Sequence, residues 1–401
     1  MRTKKILVTG ASIAGPTTAY WLTRYGFEVI LVERSPELRL GGQNIDVKGP
    51  ARDISRRMGI ESAIAGKNTT EVGLRFVNTR NKTIAEFPKD SSLSMTQELE
   101  ILRGDLVQIL YDLTKTDVEY RFNDYVTGVT HTEHNVQVTF FSGKKEDFDL
   151  LIVAEGIGSQ TRNLTFGGET EFNYLGLHTA YFTIARSVTD SSWARWHNAE
   201  KGIVFLLRPD NYGTTRASVT FTAKEDEYKN LTVEEQKAAL VARVQGSGWE
   251  SDRLVKEIKN ASDLYFDRVS QVKSPVWAKE RVVLVGDAAY CATPIAGKGT
   301  DLAMSGAYIL AGELSIAKTY QDGFAAYEKK MRPYVEKCQK LPPGIPALVY
   351  PQSKLGVRML EALVSVAGSR PVKWISSLFG AKTKTTKREI ILPEYPLEER
   401  N

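Results

Sequence analysis

Three kinds of hydrophobic patterning divide the chain. Short unbroken apolar runs come first: Lys5-Ile6-Leu7-Val8-Thr9, Phe27-Glu28-Val29-Ile30-Leu31-Val32 and, much later, Arg281-Val282-Val283-Leu284-Val285. Runs this short without alternation suit buried parallel strands. Between the first two, Ala14, Ala19 and Leu22 mark the apolar side of a helix, which makes a βαβ unit. From Gly168 to Val272 the pattern turns to alternation, as in His178-Thr179-Ala180-Tyr181-Phe182-Thr183-Ile184, Gly202-Ile203-Val204-Phe205-Leu206-Leu207 and Arg216-Ala217-Ser218-Val219-Thr220-Phe221. Alternation predicts a sheet with one face covered and the other lining a pocket. The segments Val72–Val77 and Thr83–Phe87 join it, and Thr232 with Glu235 three residues on predicts a capped helix start. Finally, Leu355, Leu360, Leu363 and Val366 give residues 352–367 a helical apolar face, set apart from the preceding helix by Pro342, Pro343 and Pro346.

The turns carry the candidate chemistry. Gly10-Ala11-Ser12-Ile13-Ala14-Gly15 joins the first strand to its helix, and the second strand ends at Glu33. Unpaired N–H groups at such a helix start bind a pyrophosphate, and an acid at the second strand tip accepts hydrogen bonds from ribose hydroxyls. Ser12 replaces the middle glycine, the mildest such change. A secretory signal built on Met1-Arg2-Thr3-Lys4-Lys5 is excluded, because the apolar run is short and leads directly into a strand ending at Glu33. The late strand delivers Gly286-Asp287, followed by Pro294-Ile295-Ala296-Gly297-Lys298-Gly299-Thr300 and a helix from Asp301. Asp287 is placed for polyol hydroxyls, Gly297 and Gly299 let main chain lie against a flat ring, and the helix N-terminus favours negative charge on that ring. Two such ends in this order indicate a single bound FAD.

With 401 residues and 42% hydrophobic content the chain is expected to form two domains. No apolar stretch is long enough to span a bilayer, and a formal charge of +5 without a long basic run before the tail argues against nucleic acid. Cys291 and Cys338 alone exclude a disulfide framework and fit a reducing, cytoplasmic compartment. Four histidines and two isolated cysteines show no metal-ligand spacing, and no catalytic triad or carboxylate pair is visible. Cys291 lacks a neighbouring base and reads as a packed small residue.

Five ordered motifs resemble the class A flavoprotein monooxygenases, the aromatic-hydroxylase family, and within it the tetracycline destructase-like branch. Besides the two glycine-rich ends they are Gly41-Gly42-Gln43-Asn44-Ile45-Asp46, Glu100-Ile101-Leu102-Arg103-Gly104-Asp105-Leu106 and Ala154-Glu155-Gly156-Ile157-Gly158-Ser159-Gln160-Thr161-Arg162. The resemblance covers most of residues 1–340. It implies an α/β fold: a Rossmann-like FAD-binding domain (1–71, 100–168 and 273–340), a β-sheet substrate domain (72–99 and 169–272), and a C-terminal bridging helix and tail (341–401). It implies FAD contacts from Gly10, Ser12, Ile13, Ala14, Gly15, Glu33, Arg34, Asp46, Arg103, Asp287, Pro294, Gly297, Lys298, Gly299 and Thr300. Gly156 would combine a FAD-side turn with a nicotinamide-nucleotide role. Glu155 stands where the family has aspartate, and Tyr290 where it has histidine. Arg39 would meet NADPH phosphate or be a surface arginine; Lys298 and Asp301 would shift the flavin's potential or pair with each other.

The resemblance also implies the reaction. NADPH would reduce FAD, molecular oxygen would form a flavin C4a-hydroperoxide, and one oxygen atom would enter an electron-rich phenolic or enolic substrate of aromatic or polyketide type, tetracycline-like among them. Tyr181, Phe205, Arg216 and Phe221 are the candidate pocket residues, each also readable as sheet packing. The C-terminal helix would pack across the domains; a membrane-surface role helped by Lys382, Lys384, Lys387 and Arg388 is the alternative. A FAD-dependent reductase and a non-catalytic FAD-fold binding protein are the competing functions. A flavin halogenase is disfavoured, since Trp193-Ala194-Arg195-Trp196-His197 does not match its signature.

Overall fold

The unbroken apolar runs assemble side by side. The computed structural model describes residues 4–89, 98–341, 344–369 and 390–396. Its six-stranded sheet has the order Ala278–Lys279, Val282–Leu284, Leu150–Val153, Lys5–Thr9, Glu28–Glu33, Glu119–Phe122. All pairs are parallel except the edge hairpin between Ala278–Lys279 and Val282–Leu284. Ile6, Leu7, Leu31, Leu151, Ile152 and Val283 are buried because helices cover the sheet. Chief among these are Ala14–Arg24, Gly299–Ile316 and Tyr320–Gln339, which pack on one another. A three-stranded antiparallel sheet (Lys145–Phe148, Val136–Phe140, Val126–His131) and a two-stranded one (Asn44–Asp46, Glu100–Leu102) complete this half.

The alternating segments form a seven-stranded sheet ordered Tyr265–Lys273, Glu171–Ala185, Thr214–Thr222, Ile203–Pro209, Ala194–Ala199, Gly73–Val77, Thr83–Pro88. Its one parallel pair is Ala194–Ala199 with Gly73–Val77. One face, with Ala180, Phe182, Ile203, Phe205, Leu207, Ala217, Val219 and Phe221, is sealed by Leu240, Val244, Leu254 and Ile258 of helices Val233–Val244 and Ser251–Asn260. The first of these helices starts with the expected reciprocal cap between Thr232 and Glu235.

Two of the expected pocket residues are corrected here. Phe205 and Phe221 have no solvent exposure and lie in this helix-covered core, because burying a large aromatic side chain against helices outweighs leaving it in a polar cleft. Tyr181 and Arg216, one residue out of phase, lie on the opposite, inner face. That face meets the late glycine loop: Ile295 packs on Leu177, Val204, Val269 and Tyr350.

The C-terminal helix, Lys354–Ala367, lies beside Phe76, Val77, Ile84, Trp196 and Asn198 at the edge of the seven-stranded sheet. Residues 390–396 pack instead on the half built around the six-stranded sheet. Tyr395 is buried beside Tyr25 and Tyr308 and donates to Glu313 Oε1 at 2.5 Å, while Arg57 pairs with Glu394 at 2.6 Å. Lys382, Lys384, Lys387 and Arg388, together with Pro342 and Pro343, lie outside the described residues.

Candidate flavin site

The first glycine turn is a tight knot of main chain. Gly10 N donates to Val32 O at 2.8 Å, and Gly15 sits so close that a β-carbon on it would lie 1.9 Å from Gly10 O. Any side chain there would push the helix start away from the strand. Glu33, buried at the tip of the second strand, braces the turn: its carboxylate accepts from Ala11 N at 2.8 Å and Ser35 N at 3.0 Å. Each oxygen keeps a lone pair for a ribose hydroxyl. Arg39 Nε is 4.0 Å from Glu33, with most of its side chain in solvent, and Arg34 is exposed beside it.

Arg103 reaches this turn across 91 residues. It opens the helix Arg103–Thr114 and donates through Nη1 to Ser12 Oγ at 3.1 Å and through Nη2 to the carbonyls of Arg39 (2.6 Å) and Gly41 (2.5 Å). A β-carbon on Gly42, at φ +129°, would lie 2.7 Å from Arg103 Nε. Burial and the nearby Arg39 pull the guanidinium down to about 10. Among the described residues its hydrogen bonds go to neutral oxygens, so the turn carries positive charge suited to a pyrophosphate. Gly156, at φ +82°, faces open space. Glu155 serves the fold: it accepts from Ser159 Oγ (2.7 Å), Thr161 Oγ1 (2.5 Å) and Thr161 N (3.0 Å), capping the helix Gln160–Phe166.

At the second end, Asp287 begins a short helix at the mouth of its strand, and burial raises its carboxyl from 3.8 to about 6. The Cys291 thiol donates to it, and burial keeps that thiol protonated well above its ordinary range. Cys291 is therefore a packed hydrogen-bond donor rather than a nucleophile. Thr293 Oγ1 is buried close by with no partner among the described residues. A carboxylate with one weak donor and an orphaned hydroxyl are what a polyol chain would satisfy, so these residues fit the sugar-alcohol end of FAD.

Pro294–Ala296, Gly297 and the helix from Gly299 make the next wall, with Thr300 buried in its first turn. Lys298 lies 3.5 Å from Asp301, so the two do pair. Asp301 also accepts from Tyr334 and from Ala51 N at 3.2 Å, tying this wall to the segment after Asp46. Asp46 itself holds Lys48 at 3.1 Å.

A family model described as FAD binding domain matches residues 3–341. This chain belongs to that family, the flavin-dependent monooxygenases. It is 39% identical over 346 residues to an uncharacterized protein of Mycobacterium tuberculosis, covering 84% of this chain and 92% of that protein. It is 35% identical over 430 residues to the flavin-dependent monooxygenase eupH of Phoma sp, covering 98% of each. The crystal structure of tetracycline destructase Tet(51) superposes with a TM-score of 0.80 at 34% identity, covering 98% of this chain and 99% of that one.

On the inner sheet face of this flavin-dependent monooxygenase the sequence left a second group unrecognised. Arg208 and Arg216 are direct partners on neighbouring strands. Arg216 donates to Asp210 (2.9 Å) and Thr183 Oγ1 (2.7 Å) and reaches Gly42 O at 3.5 Å. Arg208 is held by Glu71 (2.8 and 3.1 Å) and by Glu100, which also accepts from Asn44 Nδ2 (2.9 Å) and Thr69 Oγ1 (2.5 Å). Tyr181 stacks on Tyr265 at 6.2 Å, and both hydroxyls are pushed up by burial. The available signal for Arg208 was its place on a strand eight residues before Arg216, which becomes a facing pair only once the turn between them is known.

Proposed function

We propose that this FAD-dependent monooxygenase takes its electrons from NADPH and inserts one oxygen atom of O2 into an electron-rich phenolic or enolic carbon of an aromatic or polyketide-like small molecule, tetracycline-like compounds included. The observation that carries the reading is the inner sheet face: Arg208, Arg216 and the Tyr181–Tyr265 stack stand on the same side as the glycine loop that packs through Ile295. Guanidinium N–H groups bind phenolate, enolate or carboxylate oxygens, and the stacked phenols accept a flat ring. Bound FAD would supply the electrons and the activation of oxygen. The chain's own residues hold, orient and enclose: Gly10, Ser12, Ile13, Ala14, Gly15 and Arg103 for the pyrophosphate, Glu33 for ribose, and Asp287 for the sugar alcohol. Asp46, Pro294, Gly297, Lys298, Gly299 and Thr300 surround the ring.

Arg34 and Arg39, exposed near Glu33, are the cations open to the 2′-phosphate of NADPH, with Gly156 leaving room for approach. In this reading residues 1–71, 100–168 and 273–340 bind FAD, residues 72–99 and 169–272 bind substrate, and the chain from 341 spans both. That Lys354–Ala367 and 390–396 pack on different halves supports the last assignment. The test is a screen of phenols and enolic polyketides under labelled dioxygen, following NADPH consumption and product mass. Gain of one labelled oxygen atom is expected. NADPH-dependent products without label would replace the reading with a reductase.

A further inference from the structure

Residues 390–396 lie across three helices that start at the candidate flavin site. Ala14–Arg24 leaves the first glycine turn and Gly299–Ile316 leaves the late glycine loop. Pro50–Arg57 is joined to the latter at its own start, where Ala51 N donates to Asp301 at 3.2 Å. The later turns of all three converge on the tail. The Tyr395 ring stands edge-on to Tyr25, at the end of Ala14–Arg24, with centroids 6.5 Å apart, and edge-on to Tyr308 of Gly299–Ile316 at 5.3 Å. Behind it Trp21 meets Tyr308 directly at 4.8 Å. Tyr308 donates to Pro393 O at 2.7 Å and accepts from Arg57 Nη1 at 2.7 Å, and Arg57 closes on the Glu394 carboxylate at 2.9 and 2.6 Å. Tyr395 donates to Glu313, which Lys330 of Tyr320–Gln339 holds at 2.7 Å. Gly312 makes the seat: a β-carbon there would lie 2.2 Å from two atoms of the Tyr395 ring. Ile390 and Leu392 pack on the same core. In a close-packed interior, contacts of this kind fix where helices sit relative to one another.

We infer that residues 390–396 are a clasp for the cofactor: with Tyr395 seated on Gly312 the two glycine-rich helix starts keep the separation that FAD spans, and with the tail released FAD leaves faster. The inference rests on the placement of FAD between those two turns and adds to it a remote element that sets how tightly the cofactor is kept. Tyr395, Glu394 and Arg57 are positioning residues, acting through the helices and not by contact with the flavin. A segment near a chain end can leave its seat without unfolding a helix, which makes it suited to such a role. The coupling is reciprocal: FAD holds the tail down by the same factor with which the tail holds FAD.

The test follows both sides of that coupling in the full chain. A glutamate-specific protease can cut after Glu394 once the tail has left its seat, because Pro393 O and Tyr395 on either side are otherwise bound. A Glu389→Gln background removes the glutamate just before the tail, and the cut is read by the mass of the fragment beginning at Tyr395. Where reclosing outpaces cleavage, its rate follows the population of released tail. Expected is cleavage slowed about tenfold by saturating FAD, with FAD released about tenfold faster from Gly312→Ala, whose methyl group unseats the ring while alanine itself favours the helix. Tyr395→Phe, which keeps the ring, should release FAD within about twofold of the wild-type rate. Leu240→Ala, which opens a cavity in the core of the seven-stranded sheet, controls for lost stability and should leave both rates unchanged. Overturning results are equal cleavage with and without FAD, wild-type FAD release from Gly312→Ala, or equal acceleration by Leu240→Ala. The cleavage rates decide even if Gly312→Ala does not fold. Arg103→Met is measured in parallel: undiminished FAD affinity there sinks the placement of the cofactor, whereas weakened affinity beside FAD-independent cleavage sinks only the clasp.

Discussion

Asp287→Asn should move the apoprotein and the FAD complex in opposite directions. In the apoprotein the carboxyl is raised from 3.8 to about 6 because burial disfavours its charge, with the Cys291 thiol the side chain that donates to it. A displacement of that size corresponds to about 3 kcal/mol of penalty at neutral pH, an upper figure because the group opens partly onto the site. The sign follows from the raised value. The penalty is absent below about pH 4, where the carboxyl is protonated folded or unfolded, and complete above about pH 6. Asparagine keeps the shape and removes the charge, so the apo variant should be more stable than apo wild type at pH 7.5, by up to about 3 kcal/mol, and show no advantage near pH 4. FAD hydroxyls that donate to the carboxylate reward the ionised form, at about 1.5–3 kcal/mol for charge-assisted bonds. The variant should therefore bind FAD roughly tenfold to a hundredfold more weakly, and wild-type affinity should fall as pH drops below about 6. Denaturant unfolding of both apoproteins and fluorescence titration with FAD measure the two effects. Equal FAD affinities, or an apo variant no more stable than wild type, would refute the assignment of Asp287 to the sugar alcohol.

Arg103→Met should weaken FAD binding by roughly ten- to a hundredfold, since its donors to Ser12 and the Gly41 carbonyl are charge-assisted, and titration at two salt concentrations should show the wild-type salt dependence reduced. Tyr395→Ala should destabilise the folded protein by about 3 kcal/mol by emptying the cluster beside Tyr25 and Tyr308, and Tyr395→Phe by about 1 kcal/mol through loss of the Glu313 bond; urea midpoints distinguish the two. An accepted substrate should accelerate anaerobic reduction of the flavin by NADPH in stopped flow, and an unchanged rate would count against substrate gating.

Much of the candidate flavin site was legible because its signals are local. A pyrophosphate turn needs a strand, a glycine-rich bend and a helix start within a few residues, and Gly10, Gly15 and Glu33 stand in that order along one βαβ unit. The late loop is equally self-contained, from Val282–Leu284 through Asp287 to the helix at Gly299. The partners of Arg103 were not legible. Its reach to Ser12 depends on a β-turn-helix placement set by distant packing, and the same side chain on a solvated helix would look identical in sequence.

The chain's pattern by itself determined that 169–272 holds a sheet with two unlike faces, because side chains alternate with a period of two. It did not determine which face the helices would cover. Phe205 and Phe221 look like pocket aromatics when read alone, yet helices Val233–Val244 and Ser251–Asn260 fold back over them, and the inner face is left to Tyr181, Arg208 and Arg216. That choice is made by where the largest apolar surface can be withdrawn from water, a property of packed elements rather than of any segment. The Glu71–Glu100–Arg208 cluster shows the same division: three charged residues scattered over 137 positions become one buried group only when a strand end, a loop and a two-stranded sheet close on one another, since Coulomb attraction and desolvation act through space and not along the chain.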